Sequence, residues 1–83
     1  MTEEFWIINS NHSRVKRYTK NIQNKDKFFK YIFIDSGKII GVLEKEPPFM
    51  TTREEYKVYT ARDEWKKLIA QGWKRIIPFW EEY

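Results

Sequence analysis

Residues 60–73 read TARDEWKKLIAQGW, and this stretch predicts one complete amphipathic helix from Ala61 to Gln71. Thr60 followed by Asp63 resembles a capping box, in which both side chains accept hydrogen bonds from backbone N–H groups at the helix start. Gly72 stands where a helix commonly ends on a left-handed residue. The apolar face consists of Ala61, Trp65, Leu68 and Ile69, with Trp65 as its central anchor. This face needs a cover, which strands elsewhere in the chain can supply.

The first part of the chain predicts a β-hairpin. Phe5-Trp6-Ile7-Ile8-Asn9 has the composition of a strand, and the turn formers at positions 9–13 lead into a second strand over Arg14–Tyr18. Charged residues occur on both faces of this second strand, so neither face is uniformly apolar. We therefore predict that it lies at an edge of the sheet, where lysines discourage further strand pairing.

A second hairpin is predicted in the middle of the chain. Phe29–Ile34 and Lys38–Leu43 flank Asp35-Ser36-Gly37, in which Gly37 can supply the positive φ of a turn. Both arms are apolar at nearly every position, which is typical of central strands covered on two sides. Gly41 would mark either a bulge or the position where Trp65 packs closely.

Two segments predict loops. Thr19–Lys27 is polar and without periodicity, which predicts a mobile loop. Residues 44–52 contain Pro47 and Pro48, and proline cannot donate to a strand ladder, so this segment should leave the sheet.

Two shorter segments flank the helix. Glu54–Tyr59 can form a short strand or an irregular lead into the helix, and we favour the strand. Residues 73–77 predict a last strand that Pro78 ends. The predicted fold class is α+β: a small, mainly antiparallel sheet of four or five strands packed by one helix in the C-terminal half, in a single domain over residues 1–83.

The composition limits how this domain is stabilised and where it acts. The chain has 83 residues with four Trp, five Tyr, six Phe and no Cys. Large aromatic side chains can fill one small core, and the lack of cysteine excludes disulfides and thiolate metal sites. The N-terminal residues lack the pattern of a signal peptide, and no apolar stretch approaches the length of about 20 residues that spans a membrane. We therefore expect a cytoplasmic protein outside the membrane.

The charge is unevenly distributed along the chain. Residues 14–30 contain seven lysines and arginines against one acid, Asp26, which gives this segment a charge of +6 within a chain of net +4. Such asymmetry can form a basic face that attracts phosphate groups or an acidic protein. The alternative is a solvated pair of strands with its loop.

The sequence offers no catalytic arrangement. His12 is the only histidine, and no cysteine or second histidine can join it in base catalysis or metal binding. The acidic pairs are adjacent in sequence, so their side chains diverge, and the three glycines are too scattered for a phosphate-binding loop. We therefore expect no enzyme activity, no cofactor and no metal.

The pattern Ala61-x-x-x-Trp65-x-x-Leu68-x-x-x-Gly72-Trp73 extends to Trp80, and Pro47-Pro48, Arg53 and Trp6-Ile7-Ile8-Asn9 precede it. Together these residues resemble a family of short proteins from marine unicellular cyanobacteria that is classified only as a domain of unknown function. This resemblance implies a free-standing cytosolic domain and transfers no catalytic residues. A weaker resemblance, to the Trp-Gly-Arg domain of DNA-repair proteins, lacks the naming triplet, and Ser36-Gly37-Lys38 stands nearest to it.

Two functional hypotheses follow. The first is a non-catalytic protein-interaction or regulatory module that docks on another protein through exposed aromatic residues near the C-terminus: Trp73, Phe79, Trp80 and Tyr83. Trp73 and Trp80 could instead cover the edges of the core.

The second hypothesis is a nucleic-acid-binding domain. Its phosphate contacts would come from the basic segment: Arg14, Lys16, Arg17, Lys20, Lys27 and Lys30. Tyr18 or Phe28 would offer a surface for base stacking. Neither hypothesis fixes the identity of the partner or the oligomeric state.

Overall fold

The computed structural model describes residues 4–41 and 46–78. These residues form five strands and one helix: β1 (Glu4–Ile8), β2 (Arg14–Lys20), β3 (Tyr31–Lys38), β4 (Phe49–Lys57), α1 (Val58–Ala70) and β5 (Lys74–Ile76). Neighbouring strands are antiparallel, and their order across the sheet is β4-β3-β2-β1-β5. Helix α1 connects the two edge strands, so it crosses one face of the sheet. The predicted α+β class is confirmed.

Each face of the sheet carries its own cluster of buried residues. On the helix face, Ile7, Tyr18 and Ile34 pack with Ala61 and Leu68 of α1. The half-buried side chains around this cluster are Ile32, Tyr56, Trp65 and Trp73. On the opposite face, called the far face below, Trp6, Ile8 and Val15 form a second cluster with Ile39, Met50 and Ile76 against it. The far face is therefore also partly covered, although α1 lies on the other side.

The C-terminal end of α1 agrees with the prediction. Gly72 has a φ of 101° and donates from its backbone N–H to the Ile69 carbonyl at 3.1 Å. The N–H of Trp73 donates to the Leu68 carbonyl at 3.0 Å. These two bonds form a Schellman motif, which satisfies carbonyls that the helix leaves unpaired.

The N-terminal end of α1 differs from the prediction. The helix begins at Val58, and its N-cap residue, Lys57, makes no capping bond through its side chain. Thr60 therefore lies inside the first turn, and the predicted capping box with Asp63 is wrong. Ile69, expected in the buried stripe, is 41% exposed. Of the predicted stripe, Ala61 and Leu68 are buried against the sheet.

Strand β2 is central, so the prediction of an edge position is wrong. It pairs with β1 on one side and β3 on the other. Its polar side chains are accommodated by partners on β3: Lys16 donates to the Ser36 hydroxyl at 3.3 Å, and Arg17 binds Asp35. A strand with charges on both faces can be internal where neighbouring strands supply such partners.

The predicted turn at Asp35-Ser36-Gly37 is also wrong, because β3 runs through it. Asp35 is only 3% exposed. Gly37 serves close packing: a Cβ there would lie 2.7 Å from the Met50 sulfur and 3.0 Å from the Phe49 carbonyl oxygen. The register also shifts between Ser36 and Gly37, as in a β-bulge.

Beyond Lys38, which ends β3, the described part of the predicted second arm is not a strand. Residues 39–41 follow the end of β3, and Val42 and Leu43 lie outside the described residues. Gly41 has a φ of 79°, and a Cβ on it would meet the Glu46 side chain. The predicted bulge at Gly41, or its packing against Trp65, is therefore wrong, since a left-handed turn uses this glycine instead.

The strands next to α1 were predicted with different bounds. Strand β4 begins at Phe49, within the segment expected to leave the sheet, and ends at Lys57. Val58 and Tyr59, expected in that strand, belong to the helix. The short strand before Pro78 is confirmed as β5.

Candidate binding site

The loop between β2 and β3, residues 21–30, is built from successive side-chain turns. The Asn21 amide oxygen accepts from the Gln23 N–H at 3.1 Å, and that of Asn24 accepts from the Asp26 N–H at 2.9 Å. The Asn21 N–H donates to the Tyr31 carbonyl at 3.0 Å and closes the loop. The predicted mobile loop over Thr19–Lys27 therefore begins two residues later and is held by its own hydrogen bonds.

Asp26 organises the second half of this loop. One carboxylate oxygen accepts from the N–H groups of Phe28 at 2.8 Å and Phe29 at 3.2 Å, and the other accepts from the Tyr31 hydroxyl at 2.9 Å. These bonds, that of Phe28 first, lower the pKa of Asp26. Its bond to Asp26 also raises the pKa of Tyr31. Asp26 is therefore ionised at neutral pH, and its oxygens accept the hydrogen bonds that hold this half of the loop.

A groove of 670 Å³ lies between this loop, the helix face of the sheet and the start of α1. We call it the loop groove. Its apolar wall consists of Phe5, Ile22, Phe29, Tyr31, Ile32 and Val58. Its cationic side chains are Lys20, Lys30 and Arg62, and the remaining lining residues are Asn21, Asn24 and Asp26. The groove thus combines an apolar wall with three positive charges.

Two large apolar side chains of the loop are left in solvent. Phe28 is 90% exposed and Ile22 is 88% exposed. Their neighbour Phe29 is partly held, because the Lys57 ammonium lies 4.0 Å from its ring centroid and the Tyr59 ring lies 6.4 Å away. The loop therefore presents an apolar edge beside the loop groove.

A small apolar cleft of 140 Å³ adjoins the loop groove and shares Phe5, Ile32 and Arg62 with it. Tyr18 lies in this cleft, where its ring contacts Trp65 edge to face with centroids 5.0 Å apart. The Tyr18 hydroxyl is buried without a hydrogen-bond partner among the described residues. Burial, together with Glu64 and Tyr56, raises the pKa of Tyr18 to about 12. The hypothesis of Tyr18 as an exposed stacking surface is therefore wrong.

Three charged side chains meet on the far face. Arg17 donates to one oxygen of Asp35 through Nε at 3.0 Å and Nη2 at 2.7 Å. Arg53 donates to the two oxygens through Nε at 2.6 Å and Nη2 at 3.0 Å. Burial alone would raise the pKa of Asp35, but the bonds from Arg53 and Arg17 outweigh it and hold this pKa below its usual value. One carboxylate is thus shared by two guanidinium groups.

The basic residues predicted to bind nucleic acid lie on different surfaces. Arg14, Lys16 and Lys20 alternate along β2, and the strand register puts them on the helix face, whereas Arg17 lies on the far face. Lys20 and Lys30 line the loop groove. Lys27 is exposed in the loop. The structure therefore brings Lys20 and Lys30 together at the loop groove, while Arg17 lines a pocket of the far face that Lys20 also lines.

The aromatic residues predicted to bind a protein are described only in part. Trp73 is half-buried and packs against the helix-face cluster, as in the alternative that it covers the core edge. Phe79, Trp80 and Tyr83 lie outside the described residues.

Sequence reasoning missed the contributions of Ile22, Arg62 and Arg53. Ile22 was missed because the segment around it, Thr19–Lys27, is mostly polar and was interpreted as a loop. A usable signal was the Phe28-Phe29 pair between lysines, because two adjacent aromatic residues in a charged loop cannot both be buried easily. No local signal marked Arg53, since its partner Asp35 lies on another strand.

A model of the protein family DUF1651, described as a protein of unknown function, matches residues 4–80. The chain therefore belongs to this family. Searches among curated proteins and among solved structures gave no match. The predicted membership of a family of unknown function is confirmed, while the marine cyanobacterial origin and the C-terminal motif stay predictions. Within the described residues, no helix combines the length and apolar character that crossing a membrane requires.

Proposed function

We propose that this protein is a non-catalytic binding module whose loop groove holds an acidic segment of another protein that carries a bulky apolar side chain. The observation that supports this most directly is the exposure of Phe28 and Ile22 beside a groove with an apolar wall and three cations. The proposal keeps the protein-interaction hypothesis but moves the docking surface from the C-terminal aromatics to the β2–β3 loop.

The apolar part of the partner follows from what the loop leaves exposed. Contiguous apolar side chains on a small soluble domain commonly mark an interaction surface, since their burial on binding removes apolar area from water. Phe28 and Ile22 would pack over the partner while the wall of the loop groove receives its large side chain. The hydrogen bonds that Asp26 accepts hold the loop in shape before binding. Such preorganisation lowers the entropy cost of association.

The acidic character of the partner follows from the charges. Lys20, Lys30 and Arg62 line the groove, and no ion pair joins them to any acid in residues 4–41 and 46–78. Asp26 is the one acid in the lining, and its oxygens accept three bonds from within the loop. Carboxylates of a partner would therefore meet cations that no acid of the described residues pairs, which raises both association rate and specificity.

A nucleic acid fits these observations less well. Phosphate binding at the loop groove would call for the predicted basic residues to line it, but Arg14 and Lys16 do not, and Arg17 lies on the far face bonded to Asp35. In the wall of the loop groove, the Tyr31 ring is hydrogen-bonded to Asp26 and the Phe29 ring lies against Lys57, while the open ring of Phe28 does not line the groove. Stacking of bases favours open aromatic faces.

Selection of peptides on the whole chain would test the proposal. A displayed library of random peptides is captured on the immobilised protein, and selected peptides are measured by fluorescence anisotropy in about 50 mM and about 300 mM salt, a range that separates strongly screened from weakly screened contacts. The test variant is Ile22→Ser with Phe28→Ser. Ile77→Ser is the matched control, because Ile77 is 80% exposed and lies beyond β5.

The expected result is enrichment of peptides with acidic residues around one aromatic or aliphatic residue. Their affinity should fall at least tenfold in the double variant, remain unchanged in Ile77→Ser, and weaken only moderately with salt. Enrichment without acidic residues, or equal affinity for the double variant, would contradict the proposal. Oligonucleotides that bind through the same loop with a steep salt dependence would favour the nucleic-acid hypothesis instead.

A further inference from the structure

We propose that the far face carries a second binding site, in which Arg17 and Arg53 hold the phosphate group of a small phosphate ester. The site is an open pocket of 340 Å³ beside the Arg17–Asp35–Arg53 cluster. It is called the arginine pocket below. Thr19 and Phe33 also line it. This site shares Lys20, Asn21 and Ile22 with the loop groove, but its arginines, Arg17 and Arg53, do not line that groove.

The charge balance of the arginine pocket favours an anion. Arg17, Arg53 and Lys20 line it, and Asp35 neutralises only one of the two guanidinium groups. Glu4 is the acid in the lining, and its carboxylate accepts a hydrogen bond from the Trp6 indole at 3.3 Å. The lining itself therefore has three cations and one acid, while Asp35 is bonded to the arginines and Glu55, opposite Phe33 on β4, accepts from the Asn21 and Asn24 amides. Asp35 is almost completely buried, so its negative charge is screened from the pocket by the two arginines.

The two guanidinium groups are held in fixed orientations before any ligand binds. Asp35 takes the Nε and Nη2 edge of each arginine. The Arg17 guanidinium also lies 5.3 Å from the Trp6 ring centroid, and that of Arg53 lies 4.4 Å from the Phe33 ring centroid. Each Nη1 is left without a hydrogen bond to the described residues. The free edges are therefore donors with a defined direction, the arrangement in which arginine binds oxyanions best.

The size of the arginine pocket and its remaining lining indicate a phosphate ester rather than bare phosphate. A phosphate ester has three unsubstituted oxygens and more negative charge than a carboxylate, so it can accept from both arginines and still offer an oxygen to Lys20. The volume of 340 Å³ exceeds what one phosphate group fills, and it lies within the range of small-molecule sites. Phe33 and Ile22 supply apolar surface for the organic group of the ester.

Nuclear magnetic resonance of the ¹⁵N-labelled whole chain would test this inference. The backbone amide and arginine Nε–H signals are followed while inorganic phosphate, phenyl phosphate or benzoate is added. The test variants are Arg53→Gln and Arg53→Lys, since Arg53 is 54% exposed at its side chain and both changes should leave a folded chain. Arg75→Gln is the matched control, because Arg75 is exposed and also stacks on an aromatic ring, that of Phe5 on the helix face.

With phenyl phosphate, saturable shifts are expected at Arg17, Arg53, Thr19 and Phe33. Binding should be tighter than for inorganic phosphate or benzoate, at least tenfold weaker in both Arg53 variants, and unchanged in Arg75→Gln. Arg53→Lys keeps the positive charge beside Asp35, so weaker binding of phenyl phosphate by this variant would show that the guanidinium geometry matters. Shifts that never saturate, equal binding by the Arg53 variants, or preference for benzoate would each overturn the assignment. If an Arg53 variant lost its dispersed spectrum, the site-specific shifts of the parent and of Arg75→Gln would still decide between these results.

Discussion

The two faces of the sheet are buried by different means. The helix face is covered by apolar contacts from α1, and it contains the Tyr18 hydroxyl, which is unpaired among the described residues. The far face combines the Trp6 cluster with a buried carboxylate, Asp35, whose oxygens are bonded by two arginines. Apolar contacts tolerate small shifts of α1 over the sheet. The Asp35 carboxylate, in contrast, keeps its hydrogen bonds to both arginines only when β2, β3 and β4 are in register. The far face should therefore be the less tolerant of substitution.

The largest effect is expected from tryptophan truncation on the far face. Trp6 is 4% exposed, whereas Trp65 on the helix face is only half-buried. Trp6→Ala should destabilise the domain by about 3–5 kcal/mol, and Trp65→Ala by less, because the loss scales with the burial of the removed side chain. Urea unfolding followed by circular dichroism measures both. If Trp65→Ala lowered the free energy of unfolding more than Trp6→Ala, the helix face would be the less tolerant of the two.

A somewhat smaller effect is expected at Asp35. Asp35→Asn should cost about 2–3 kcal/mol near pH 7, since charged hydrogen bonds are lost and two arginines are left facing each other. Because folding lowers the pKa of Asp35, its carboxylate stabilises the protein above its unfolded-state pKa of 3.8, and this contribution is lost as the pH falls through the folded-state pKa. The variant should therefore lose less stability than the parent between pH 5 and pH 2, as the unfolding midpoint in urea would show. Equal acid sensitivity would mean that other carboxylates dominate.

Gly37→Ala tests how closely the bulged part of β3 is packed. The added methyl group would meet the Met50 sulfur and the Phe49 carbonyl oxygen, and the backbone contact cannot yield easily. A loss of about 1–2 kcal/mol is expected from this overpacking. Thermal melting measures the loss, and Gly37→Ala should cost less in a Met50→Ala background than in the parent, because the contact with the Met50 sulfur is then absent. An unchanged melting temperature for Gly37→Ala would show that β4 shifts freely.

The smallest expected effect, and the one of opposite sign, belongs to the helix face. Tyr18→Phe removes a buried hydroxyl without a described partner, so stability near pH 7 should stay equal or rise by up to about 1 kcal/mol. Folding raises the pKa of Tyr18 from 10 to about 12, so the parent becomes harder to ionise when folded than when unfolded. Its stability is therefore unaffected by this group below pH 10 and falls as the pH rises from 10 towards 12. The variant should unfold less readily across that interval in urea. A clear loss of stability at pH 7 would reveal a partner for the hydroxyl.

Local signals in the sequence predicted part of the fold well. The helix end at Gly72, the β1–β2 hairpin and the strand before Pro78 depend on residues within a few positions of one another. Membership of a family of unknown function was also predicted, and the cytoplasmic location stays a prediction.

Long-range partners explain the main errors. Asp35-Ser36-Gly37 has the composition of a turn, but Arg17 and Arg53, each 18 residues away, make burial of Asp35 favourable within a strand. The same pairing allows β2, with its charged residues, to be central. Of the candidate site, the lysines of the basic segment and the exposed ring of Phe28 could be predicted. The loop groove could not, because it exists only where that segment meets the start of α1.

Strand β5 has a consequence for how the protein opens and aggregates. It has three residues, and in the described sheet it pairs only with β1, through Trp6↔Ile76, Ile7↔Arg75 and Ile8↔Lys74. So short a strand, joined to a partner more than sixty positions earlier, is expected to detach by local unfolding well before the rest of the sheet. Detachment turns β1 into an unprotected edge with a strongly apolar sequence, the kind of template that recruits another chain. Amide protons of β1 that face β5 should therefore exchange with solvent sooner than those that face β2, and conditions that hasten this exchange should also hasten aggregation.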